Sequence, residues 1–175
     1  MDATVVRRGR RSDSDGFIEL VLALARFEKL DPPTPIATRR LLDDIFRRKK
    51  INLFVAYRGR RLVGYALYFY SYSSFLAKPT LYLEDLFVSE GSRGGGVGMA
   101  LLRRCVEEAR AKGCGRMEWA VLTWNEKALR FYESLGAKRM DDWYLYRLDE
   151  WSLRALSARA PGPARDGLAK ARPTR

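Results

Sequence analysis

The chain has 175 residues, 47% of them hydrophobic, which is enough for one domain with a substantial core. It contains no histidine and only two cysteines, Cys105 and Cys114, which argues against histidine-based triads, zinc catalysis and a disulfide scaffold. The net charge of +12 invites a nucleic-acid reading, but the basic residues are spread along the chain without one long basic run, which speaks against that as the main role.

In chain order, the amino-terminal stretch is polar from Arg7 to Asp15, and no run of about 18 apolar residues follows anywhere, so neither a signal peptide nor a membrane span is expected and a cytoplasmic location is. Val5 and Val6 begin a short strand. Ser12, Asp13 and Ser14 are cap candidates for a helix in which Phe17, Leu20, Val21, Leu24 and Phe27 recur at helical spacing. Pro32, Pro33 and Pro35 should end it, and Leu41, Leu42, Ile45 and Phe46 mark a second helix with its cap near Thr38. Glu28 and Asp31, in the connection, are two carboxylates in an otherwise basic half, read either as a solvated loop or as a contact to a cationic substrate. Ile51–Tyr57 and Leu62–Tyr72 read as strands joined at Arg58-Gly59-Arg60-Arg61, and Thr80–Val88 as a third strand in meander order.

That third strand breaks phase at Glu84-Asp85, which predicts a bulge. It leads into Arg93, Gly94, Gly95, Gly96, Val97, Gly98 and Met99, where consecutive backbone N–H groups can approach a phosphate at the start of a helix. No Gly-Lys-Ser/Thr closes the loop, so it is not a P-loop. The glycine spacing is not G-x-G-x-x-G, and no acidic residue ends a second strand about 20 residues on, so it is not a dinucleotide fingerprint either. The helix that follows carries Leu101, Leu102, Cys105, Val106 and Ala109 on one face, which assigns Cys105 to packing, and Gly113 stops it. A strand from Arg116 to Leu122 after this helix implies a right-handed crossover and a parallel pair.

The next helix starts at Asn125, a good N-cap, and stops at Gly136; Tyr132 lies two turns after Asn125, so both can face one cleft. Lys138–Met140 and Tyr144–Leu148 read as a closing hairpin. The pattern fails after Leu156, so residues 1–156 are expected to form the folded domain and 157–175, basic and proline-containing, a disordered tail.

Arg93-x-x-Gly96-x-Gly98 behind an apolar strand resembles the pyrophosphate-binding motif of the GNAT superfamily of acyl-CoA-dependent N-acyltransferases, and the order of elements over roughly residues 4–150 agrees. The resemblance implies an α/β (α+β) GNAT fold: a mixed, mostly antiparallel twisted sheet of six to seven strands flanked by about four helices. The phrases Tyr82-Leu83-Glu84-Asp85-Leu86-Phe87-Val88 and Val121-Leu122-Thr123-Trp124-Asn125, with Phe131-Tyr132, look like the diamine acetyltransferase group, which includes spermidine/spermine and thialysine acetyltransferases. Acetyl-CoA as cosubstrate, no metal, a primary-amine acceptor and a homodimer are what this implies.

The roles carried over by the resemblance are specific. Glu84 becomes a substrate contact and a base acting through water, and Tyr132 the acid that returns a proton to the CoA thiolate. Leu86, Phe87 and Val88 would meet the pantetheine arm through their backbones, with the Leu86 amide polarising the acetyl carbonyl. Arg93 and the amides from Gly94 to Met99 would hold the pyrophosphate, and Asn125, with Ala128, would lie along the pantetheine. Asp85 should face away from Glu84 unless the bulge re-aims it, which makes it structural by alternation, while Glu28, Glu84 and Asp85 form the carboxylate set for the acceptor. Two departures stand out: Gly95 occupies a position where many members carry a larger residue, and the basic surface is unexpected for long polycationic acceptors. Acetylation of protein amino groups, and a non-catalytic CoA-binding or nucleic-acid-binding module, are the alternatives.

Overall fold

In a computed structural model, which describes residues 3–158, the chain divides into a first unit ending at Trp124 and a second starting at Asn125. The first unit runs β1 (Thr4–Arg8), α1 (Ser14–Glu28), α2 (Pro35–Phe46), β2 (Asn52–Arg58), β3 (Arg61–Ser73), β4 (Lys78–Val88), α3 (Val97–Ala111) and β5 (Arg116–Glu118). Its sheet has the order β1-β2-β3-β4-β5, antiparallel through β4 and parallel between β4 and β5 across the α3 crossover.

Amphipathic spacing fixes which helix covers which face. On one face Phe17 of α1 meets Tyr65 of β3 edge-on, with ring centroids 5.0 Å apart, in a core completed by Leu20, Ile45, Leu53, Val55, Leu67 and Phe87. On the other, Phe54 stacks on Tyr68 at 5.1 Å, and Arg104 of α3 lies over the Phe54 ring. Gly64 brings β3 close to this helix: a Cβ there would stand 2.8 Å from the Phe87 carbonyl oxygen and 3.2 Å from Leu101 Cδ1. Cys105 is fully buried, and burial pushes its thiol up to about 12, in keeping with packing rather than reactivity.

The helix boundaries correct two expectations. α1 ends at Glu28, where Lys29 turns left-handed (φ 58°), before the prolines are reached. The cap of α2 is Thr34, not Thr38: its Oγ1 accepts from the Ala37 N–H at 3.2 Å, and Pro35 takes the first helical position, which its fixed φ suits. Asp13 stands at the N-cap position of α1 but makes no cap bond. Instead its nearly buried carboxylate accepts from both terminal nitrogens of Arg7 (2.7 and 2.8 Å), the Arg10 N–H (2.7 Å) and the Tyr57 hydroxyl (2.8 Å).

Those donors, Arg7 first, hold the Asp13 carboxyl down at about 2. The charged form is the one the fold favours, so its contribution is full above the ordinary carboxylate range and is lost as pH falls from about 4 toward 2. Asp13→Asn is expected to cost about 2 kcal/mol in urea unfolding near neutral pH. The gap from the parent protein should close as the pH approaches 2; a gap independent of pH would show that charge is not what Asp13 supplies.

Among the described residues the strand count is five, not six to seven. β5 stops at Glu118 rather than Leu122, because it pairs only with Thr80–Tyr82, and β4 departs from regular register immediately afterwards. In the second unit, α4 (Glu126–Glu133) and α5 (Glu150–Ala158) are helical, but residues 138–148, expected as a closing hairpin, form no strand. Their alternating apolar pattern defines a face, yet a strand also needs a hydrogen-bonded partner, and these residues pair with no strand among the described residues. Among the described residues α5 brings the helices to five, one more than expected, with Asp149 Oδ1 accepting from the Ser152 N–H at 2.7 Å at its start. Apart from residues 157 and 158, which complete α5, the expected tail lies outside the described residues.

Candidate active site

The glycine loop is a turn that opens directly into α3, as its composition predicts. After β4 the Ser89 N–H donates to the Val63 carbonyl at 2.9 Å, a short turn spans Glu90–Ser92, and Gly94 and Gly96 then adopt φ of +77° and +79°. A Cβ on either would meet nothing within 4 Å, so it is the left-handed backbone that calls for glycine there, not crowding. Gly96 occupies the N-cap position of α3 without a side-chain cap, and the first helical bond runs from the Ala100 N–H to its carbonyl at 2.9 Å. The N–H groups of Val97, Gly98 and Met99 therefore lack helical acceptors, the arrangement that binds a phosphate. The Val97 side chain is buried, so what it offers a ligand is its backbone.

Arg93 is anchored from three sides. Its Nε donates to the Val88 carbonyl at 3.0 Å, and its guanidinium lies 5.0 Å from the Phe27 ring centroid and 5.6 Å from that of Phe87. Phe27 in turn packs against Trp124, with centroids 5.4 Å apart. Arg93 thus ties the loop to the end of α1.

β4 carries the other half of the arrangement. Leu67 pairs with Asp85 and Tyr68 with Leu83, which leaves Glu84 as the extra residue of a bulge where the phase break predicts one. Leu83 shares a face with Tyr68, toward α3, whereas Asp85 and Phe87 share the α1 face with Leu67 and Tyr65. The bulge has re-aimed Asp85, so simple alternation does not assign it. Beyond Tyr82 the strand edge opposite β3 has no strand partner among the described residues, and its backbone is placed to receive an extended ligand. Phe87 itself is buried and packs in the core; only its main chain faces that edge.

Asp85 accepts from the Tyr65 hydroxyl at 3.1 Å. Burial, and then the fields of Glu84 and Glu28, push its carboxyl up to about 6 against the opposing effect of the Tyr65 bond. Burial also raises Glu28, and burial together with Asp85 raises the Tyr65 hydroxyl. Glu84 is exposed. Glu28, Glu84 and Asp85 thus share one electrostatic neighbourhood beside aromatic side chains, a composition suited to an organic cation. Among the described residues no group of His, Cys, Asp or Glu is arranged to hold a metal ion.

In the second unit, Asn125 caps α4 by accepting from the Ala128 N–H at 3.3 Å. Ala128 and Tyr132 are one turn apart on that helix, and the Phe131 and Tyr132 rings lie 5.2 Å from each other. Sequence reasoning missed Tyr65 and Phe27 as neighbours of the candidate site residues. Tyr65 reads as a core strand aromatic and Phe27 as part of a helical stripe, and neither pattern reveals a polar or cationic partner far away in the chain.

The model of the Acetyltransferase (GNAT) family matches residues 18–137. The thialysine N-epsilon-acetyltransferase of Mus musculus is 33% identical over 171 residues, which cover 91% of this chain and 100% of that protein. An L-ornithine N5-acetyltransferase of Arabidopsis thaliana is 42% identical over 95 residues, 54% of this chain and 42% of that one. Among solved structures, that of a probable acetyltransferase aligns with a TM-score of 0.73 at 26% identity, over 83% of this chain and 97% of the other. The chain belongs to the GNAT acetyltransferase family and is an N-acetyltransferase.

Proposed function

We propose that the protein transfers acetyl directly from acetyl-CoA to a primary amine of a small cation, a diamine, a polyamine or a thialysine-like compound. The observation that carries this reading is that Glu84 and the Tyr65-bonded Asp85, on the strand that feeds the glycine loop, share one electrostatic neighbourhood with Glu28 at the end of α1. The names of the similar proteins, a thialysine and an L-ornithine acetyltransferase, point to the same class of acceptor.

In this mechanism the amides of Gly94–Met99, with Arg93, hold the diphosphate, and the open edge of Leu86–Val88 lies along the pantetheine arm. The Leu86 N–H donates to the thioester carbonyl, which stabilises the oxygen as negative charge develops on it. Glu28 and Asp85 hold the cationic acceptor, and Glu84 accepts, through a water, the proton that the attacking nitrogen must lose. The new C–N bond forms as the C–S bond breaks, and Tyr132 gives its hydroxyl proton to the departing thiolate. Asn125 and Ala128 line the pantetheine. The same reading takes residues 1–156 as one catalytic domain working as a cytoplasmic homodimer, which rests on the family resemblance.

Asp85 makes the acceptor step pH-dependent. A primary amine stays protonated between pH 5 and 8, with a pKa of about 10.4, so a change in binding there reports a protein group. A bound cation favours the ionised carboxylate; acceptor affinity should therefore strengthen as pH rises through about 6 and level off above it, with protons released on binding. Calorimetry in buffers of different ionisation enthalpy checks this, and Asp85→Asn should abolish the proton release.

The reaction is tested by CoA thiol release with diamines, polyamines, lysine, thialysine and a lysine peptide, against controls without acceptor. Selective release with a small amine supports the reading; release with the peptide alone overturns it in favour of protein acetylation.

A further inference from the structure

Arg58 is the last residue of β2 and pairs in register with Thr4 of β1. Its neighbour Tyr57 turns to Asp13, and Arg58 turns the other way, to the glycine loop. Its Nε donates to Thr4 Oγ1 at 3.3 Å, and its Nη2 donates to the carbonyl oxygen of Gly95. The two bonds use separate arms of one rigid guanidinium, so the loop carbonyl is tied to the sheet by a planar bracket.

In a trans peptide the C=O and the following N–H point in opposite directions. A Gly95 carbonyl held on Arg58 therefore turns the Gly96 N–H away from it, next to the amides of Val97, Gly98 and Met99 that open α3. Gly95 itself is shaped by this contact. Its φ is not left-handed, so its backbone would accept a side chain, but a Cβ there would overlap Arg58 Nη2 and lie 2.8 Å from its Cζ and Nη1. The glycine at 95 makes room for the guanidinium, and positions 58 and 95 act as one device.

We propose that Arg58 is a positioning residue for the acyl donor: it holds the Gly95 carbonyl so that the loop amides stay turned toward the diphosphate, and it places a positive charge beside them. This rests on the reading of Gly94–Met99 as the diphosphate site, and the test separates the two ideas by comparing acetyl-CoA with S-acetylpantetheine, which has no diphosphate.

Arg58→Ala should raise the KM for acetyl-CoA about tenfold, the scale of one lost charge-assisted hydrogen bond. It should leave kcat, the acceptor KM, the urea midpoint and the KM for S-acetylpantetheine unchanged. Gly95→Ala should have the same effect by displacing the guanidinium, and the double variant should be no worse than either single one. Arg58→Lys, which keeps the charge but not the two-point bracket, should recover part of the affinity. An unchanged acetyl-CoA KM in Arg58→Ala, an equal rise for both donors, or additive effects of the two alanines would overturn the proposal. If the parent protein itself used both donors with equal KM, the diphosphate reading of the loop would fall, and the role of Arg58 with it.

Discussion

Glu84→Gln is expected to lower kcat by about 100-fold or more, within the range that a positioned general base supplies, while the KM for acetyl-CoA stays within about twofold of the parent value. Glu84 is the extra residue of the β4 bulge and is exposed, so a water can sit between its carboxylate and the acceptor nitrogen. Asp85 follows it in the chain, but this partly buried, Tyr65-bonded carboxylate is placed to hold a cation rather than to exchange protons with water. With the base removed, the amine must lose its proton to solvent. Turnover in the variant should then climb with pH toward the amine's own value of about 10, whereas the parent enzyme levels off earlier. The acceptor KM should rise by a few-fold, because one of the carboxylates facing the cation is gone. A pH–rate profile identical in shape to that of the parent enzyme would remove Glu84 from the proton path, whatever the size of the loss.

Tyr132→Phe should lower kcat by a comparable factor, about 100-fold, with little change in acetyl-CoA affinity, since the ring that packs beside Phe131 on α4 is retained. A hydroxyl that protonates the leaving thiolate matters in proportion to how badly the thiolate needs the proton. The defect should therefore shrink with an acetyl thioester of a more acidic thiol, whose thiolate departs unaided. Equal losses with both donors would mean that the hydroxyl serves structure or binding, and unchanged turnover would remove Tyr132 from the mechanism. Circular dichroism of the variant guards against the trivial outcome, because Asn125 and its bond to the Ala128 N–H maintain the start of α4 independently of the hydroxyl.

Features governed by neighbours a few residues apart were legible in the sequence alone. The glycine-rich turn at the start of α3, the cap at Asn125 and the phase break at Glu84-Asp85 each follow from backbone sterics or side-chain period within one short window. The same windows carry the residues by which the family resemblance is recognised. Boundaries were less secure: Thr34 and Thr38 are both plausible caps, and only the position of Pro35 decides between them.

Tertiary structure decided what depends on distant partners. Whether a strand-like pattern becomes a strand depends on its being hydrogen-bonded to a partner, and residues 119–122 and 138–148 are paired with none among the described residues. Asp85 counts as structural by alternation, and it joins Glu28 and Glu84 only because the bulge rotates it to the α1 face. The seat of Arg93 on Phe27, and the hold of Arg58 on Gly95, join residues far apart in the chain. Local sterics give such pairs no preference. They form because burying the two faces of the sheet under α1 and α3 brings β2, β4 and the ends of both helices together, and hydrophobic burial, which is non-directional, leaves no trace in sequence of which polar groups will meet at its rim.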